Sequence, residues 1–162
     1  MFEDSVEGFI ARWRAHATDG VAFARAEGSP LLEVEVGNAV LQLFERTGPY
    51  EAPTGRLRLI VHAVARSWVV APPEVGVEPS LVSAGLSRLR LAGRVVEAEA
   101  PLVVVDVGVP VVLGLDPAGG VGAPPFPSVG SWLACDTEAP AHGFVLRRIG
   151  PRAPTTSPDD QV

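Results

Sequence analysis

The 162-residue chain carries a net charge of −6, one cysteine and no lysine, all 13 of its basic residues being arginine. A chain of this length buries roughly 70% of its unfolded surface and needs no disulfide or metal staple, and the absence of lysine excludes a P-loop, a Schiff base and a Ser–Lys dyad. Residues 1–84 hold 7 Arg against 11 acidic residues, 85–150 hold 5 against 6 and 151–162 hold 1 against 2, so no part has the basic excess that counterion release from a phosphate backbone requires, and nucleic acid is a disfavoured partner.

Residues 4–18 read as an amphipathic helix. Phe2, Val6, Phe9, Ile10 and Trp13 recur on one face, Asp4 with Glu7 three residues on suggests a capping box, and Gly20 suggests a stop. Such a helix docks its apolar side on a sheet. From Val21 onward the period is two. Residues 21–26, 31–36 and 39–46 read as strands, with Gly28-Ser29-Pro30 as a turn and Gly37-Asn38 as a bulge or tight turn. Glu33 and Glu35 alternate with Val34 and Val36, which leaves one face of that strand in water. Residues 56–70 predict a long antiparallel strand with Leu57, Leu59, Val61 and Ala63 on one face and Arg56, Arg58, Ile60 and His62 on the other. The Pro-rich stretch 71–80 reads as a crossing loop, and the SLVSAG that starts at Ser80 as a short helical turn.

The clearest pattern lies in residues 85–115, three Val- and Leu-rich runs broken by Gly and Pro, the signature of buried strands in a closed or two-layered sheet. The predicted order is a strand 86–98 kinked near Gly93, strands 102–107 and 109–115, a Gly/Pro loop 116–128, and strands 130–135 and 143–149. Three sets of residues carry a resemblance: LAGRVV at 91–96 for a first strand bent at glycine, VDVGVPVV at 105–112 for a hairpin, and VGSWL at 129–133 with HGFVL at 142–146 for a closing pair. Together they resemble an OB-fold, the five-stranded Greek-key barrel of oligonucleotide- and oligosaccharide-binding modules. The expected fold is therefore mainly β: an N-terminal amphipathic helix packed on antiparallel strands (1–80), then an OB-like barrel (81–150). A polar, Pro-punctuated tail (151–162) is expected to be disordered.

Candidate chemistry is sparse. Arg88 and Arg90 share a strand face, and a bulge at Gly93 would add Arg94. With Arg147, Arg148 and the stacking candidate Trp132, they form the candidate binding set for an acidic protein surface or, less favourably, a single strand of nucleic acid. Cys135, Asp136 and His142 have the residue types of a thiol enzyme, but nothing near Cys135 would activate it, and a lone Cys in such a strand is usually a small buried hydrophobe. Asp106 before Gly108 reads as a turn aspartate. The glycines of 116–124 recur without the following helix that a dinucleotide site needs, and His16, His62 and His142 lack a metal-ligand spacing. The expectation is a cytoplasmic, non-catalytic binding or scaffold module without cofactor, secretory signal or membrane span, working through a protein partner or as a homo-oligomer. A single-strand binder and a small thiol enzyme stand as alternatives.

Overall fold

A computed structural model describes residues 2–48, 54–73, 78–116 and 124–146. The predicted tail and the candidates Arg147 and Arg148 lie outside the described residues. What is described is mainly β, with one short N-terminal helix: α1 (Val6–Trp13), a 3₁₀ turn (Arg14–His16) and ten strands, β1 (Thr18–Ala22), β2 (Leu31–Val36), β3 (Ala39–Glu45), β4 (Gly55–Ala71), β5 (Ser80–Ser83), β6 (Leu89–Glu99), β7 (Leu102–Asp106), β8 (Pro110–Gly114), β9 (Trp132–Thr137) and β10 (His142–Leu146). No described helix is long and apolar enough to cross a membrane.

The 17-residue β4 organises the pairing. Its first half pairs antiparallel with β1 on one edge and β10 on the other; His62 then pairs with both His142 of β10 and Val112 of β8. Beyond that point β8 takes over the edge of β1, running parallel, and β9 takes over the edge of β10. Two closed rings of five strands result, each with one parallel contact: β1-β2-β3-β10-β4 and β6-β7-β8-β4-β9. Inward-facing Leu57, Leu59, Val61 and Ala63 of β4 belong to one continuous core with Leu32, Leu41, Leu43, Leu91, Val103, Leu113 and Leu133. Ring closure leaves few free strand edges, which is how barrels avoid edge-to-edge association.

The alternation of β4 changes hand at Arg66. Ala63 and Ala65 face the core, but past the register shift between Ala65 and Ser67 it is Trp68 and Val70 that pack against it. Arg66 is the extra residue of a bulge, so one strand twists far enough to serve both rings. A second close approach lies in β6, where a Cβ on Gly93 would come within 2.0 Å of the Asp106 carbonyl oxygen. The kink expected there is a tight backbone crossing and not a bulge. The register shift of β6 against β7 falls at Val96, between Val95 and Glu97.

Outside the rings, Phe9 and Trp13 of α1 cover Ile60 of β4, Val104, Val112 and Phe144, with Phe9 stacked on Phe144 at 4.4 Å between centroids. Full burial of two such aromatics stabilises the docking by roughly 2–3 kcal/mol each. The outer face of β4 can therefore be apolar at Ile60 although it is charged at Arg56 and Arg58.

Several local expectations need correction. The N-cap is Ser5, whose hydroxyl accepts from Gly8 N at 3.0 Å, and not Asp4. The chain leaves the helix before Thr18, because residues 18–22 are already paired with β4; Gly20 sits inside a strand. SLVS is β5 and not a helical turn, since its backbone pairs with residues 89–92. The ring containing β6, β7, β8 and β9 is closed by β4, and the predicted closing strand, β10, completes the other ring. Gly37, at φ +59°, and Asn38 form the tight turn of the β2–β3 hairpin, and Asp106 accepts from Gly108 N at 3.0 Å as a turn aspartate.

Substituting Gly93 by Ala forces a methyl group into a backbone carbonyl. We expect the variant to lose about 3 kcal/mol in urea unfolding; a loss below about 1 kcal/mol would show that β6 and β7 can part at little cost.

Candidate functional site

The outer face of β5, β6, β9 and the second half of β4 is an open sheet surface. Cross-strand pairing places Val82, Arg90, Asp136 and Ser67 in one row, Ser80, Ala92, Ala134 and Val69 in the next, and Arg94, Trp132 and Ala71 in a third. Arg88, Arg90 and Arg94 share this face by strand alternation alone. At one end Arg66, Ser67, Arg88, Arg90, Asp136 and Thr137 line a cleft of about 380 Å³.

Each arginine arrives there by a distinct local device. The β4 bulge throws out Arg66. Arg88 ends a tight turn whose Ser87, at φ +53°, bonds through its hydroxyl to Ala141 N (3.0 Å) and Ala141 O (3.2 Å), pinning the β5–β6 hairpin to the β9–β10 connection. Arg90 donates its Nε to Asp136 at 2.8 Å, a solvent-exposed pair that raises the guanidinium pKa and contributes little to stability. The guanidinium groups of Arg66 and Arg88 have no hydrogen bond or ion pair among the described residues, although the Arg88 backbone bonds to Gly85 O and Ala84 N. Thr137 accepts from Leu89 N (2.9 Å), which fixes the floor of the cleft.

The other candidates separate. Arg94 donates to the Gly130 carbonyl (3.1 Å) beyond the cleft. Trp132 lies across from Arg94 but is only 7% exposed, so it offers no free ring face for stacking. Cys135 points into the core opposite Leu91 and Trp68, and burial, reinforced by the charge of Asp136, pushes its thiol up to about 12. No bond joins it to His142, whose Nδ1 donates to Glu3 instead.

That last contact belongs to a cluster that residue spacing does not reveal. The buried Glu3 carboxylate accepts from His142 (2.6 Å) and from Arg46 Nε (3.1 Å), and His62 Nε2 stands 3.6 Å away. Burial works to raise the Glu3 pKa, but the bond from His142 and the charges of His142, His62 and Arg46 together hold it below the ordinary value. His62 donates its Nδ1 to the Val112 carbonyl (2.9 Å). Burial lowers its pKa to about 4, against the opposing pull of that bond and of Glu3. With Phe2 over Gly114 and edge-on to His62, the cluster latches the segment before α1 onto β3, β4, β8 and β10. Its partners Arg46, His62 and His142 lie 43, 59 and 139 positions from Glu3 in the chain, out of reach of any motif. Among the described residues no three His, Cys, Asp or Glu side chains are placed to hold a metal ion.

Compared with protein-family models, with curated proteins and with solved structures, the chain has no match. The geometry of its own residues is therefore the ground for a functional reading.

Two outcomes follow from these environments. Unfolded His62 takes a proton below about 6.5 and folded His62 only below about 4, so the unfolded state binds more protons in that window and stability falls as pH falls through it. Between pH 7 and 5 this contributes a loss of about 2 kcal/mol, which urea unfolding of the His62→Gln variant should lack; equal losses in both proteins would show that His62 charges within the fold. The Cys135 thiol should resist iodoacetamide at neutral pH until urea unfolds the chain, and rapid alkylation of the native protein would reinstate a thiol enzyme.

Proposed function

We propose that this protein is a non-catalytic binding module that makes protein–protein contacts through the outer face of β5, β6, β9 and β4, and that its partner presents carboxylates there. The observation that carries this is the pair of guanidinium groups without partners among the described residues, Arg66 and Arg88, beside Arg90 at an open cleft. A guanidinium is a planar fork of donors that matches a carboxylate in bidentate fashion. The surrounding small side chains, Ser80, Ala92 and Ala134, leave the face flat enough for another protein surface to approach.

Each ring also resembles the OB type of barrel in strand number and mixed pairing, and that resemblance favours a binding role over a catalytic one. It does not favour nucleic acid here. Single-strand binders stack bases on exposed aromatic rings, whereas the apolar residues most exposed on this face are Val69 and Val82, and its Trp132 is covered.

The test is fluorescence anisotropy at low salt with a labelled glutamate-rich peptide and a labelled single-stranded oligonucleotide. The peptide should bind, and Arg66→Glu with Arg88→Glu should weaken it by about tenfold or more. Tighter binding of the oligonucleotide, with steep salt dependence, would overturn the assignment.

A further inference from the structure

The opposite ring carries a face of complementary character. On the outside of β1, β2 and β3, pairing sets Val21, Glu35 and Val40 in one row, with Glu33 one step along β2 and Phe23 beside it. Val21, Phe23 and Val40 are each more than 40% exposed, an unusual concentration of apolar surface for a sheet that faces water. Glu33 and Glu35 are exposed, and their carboxylates have no hydrogen bond or ion pair among the described residues. We infer that the partner of the arginine face is a second copy of this chain, which docks the outer face of its β1–β2–β3 sheet there.

This rests on the protein-binding role proposed above and names its partner. The side-chain charges left unpaired among the described residues are complementary: the carboxylates of Glu33 and Glu35 on one face, the guanidinium groups of Arg66 and Arg88 on the other. The two carboxylates stand two residues apart on a strand, about 6.8 Å, the same step that separates Arg88 from Arg90. Arg90 gives only its Nε to Asp136, so its terminal amino groups add donors to the acceptor face. Around the charges, Val21 and Val40 meet Val69, Val82 and the alanines, which permits the roughly 10 Å spacing of two stacked sheets. The two faces differ, so the contact is between unlike surfaces, and every copy carries both.

Sedimentation velocity at low salt tests this with four full-length proteins. The wild-type chain should associate with rising concentration and dissociate as salt is added. Arg66→Glu with Arg88→Glu, and separately Glu33→Arg with Glu35→Arg, should each abolish association; combining all four substitutions should restore it, because the charges are then exchanged between faces. Restoration also shows that the chain folds with all four charges reversed. A monomeric wild-type chain overturns the inference while leaving the peptide experiment to decide the binding role. Loss of association in the arginine variant but not in the glutamate variant overturns it too, since the partner surface then lies elsewhere. Association that survives both charge reversals overturns it as well.

Discussion

Backbone hydrogen bonding along both edges of one strand is the constraint on which the remainder depends. A strand inside a sheet must satisfy its N–H and C=O groups on each side, and β4 is too long for any single pair of neighbours. It exchanges both partners near His62, from β1 and β10 to β8 and β9, and so belongs to two rings at once. The bulge at Arg66 supplies the local twist that the exchange requires. Because the rings share a wall, their interiors join into one core, and loosening either would expose apolar surface of both.

The same exchange creates a place where the outside of the barrels is apolar and covered by a helix. Ile60, Val104, Val112 and Phe144 meet at the junction of the rings, and α1 seals it. Polar groups trapped under this seal have to be satisfied, and they are: His62 bonds to a β8 carbonyl, and Glu3 gathers His142 and Arg46. Removal of one partner from such a buried set costs more than the set contributes as a whole. The cluster is a fastening for the N-terminal segment, built from charges that a more open site would use for chemistry.

The remaining outer surfaces are free to differ, and they do. Where β5, β6 and β9 face water the surface is small-sided and arginine-bearing; where β2 and its neighbours β1 and β3 face water it is acidic and apolar. Neither property is demanded by the core, whose residues point the other way along the same strands. That independence is what lets a barrel with a chemically quiet interior carry contact surfaces on its outside.

Alternation of residue types made most of the strands legible, together with the helix, the Asp106 turn and the shared face of Arg88 and Arg90, because each depends on neighbours a few positions away; Arg94 joins that face without the bulge at Gly93 that the sequence suggested. Even the bulge left a trace, in the switch from odd to even apolar positions across Arg66, although Arg66 itself could not be placed in a cleft from that trace. SLVS was too short to show a period, and its identity as a strand comes from pairing with β6. Sequence alone determined that this chain is a β protein with a greasy interior and arginines aligned on one strand. Only tertiary structure decided that β4 closes both rings, that Glu3, His62 and His142 meet, and that Cys135 and His142 do not. Those outcomes depend on contacts between residues tens of positions apart, and strand periodicity fixes which way a side chain points without fixing which strand lies beside it.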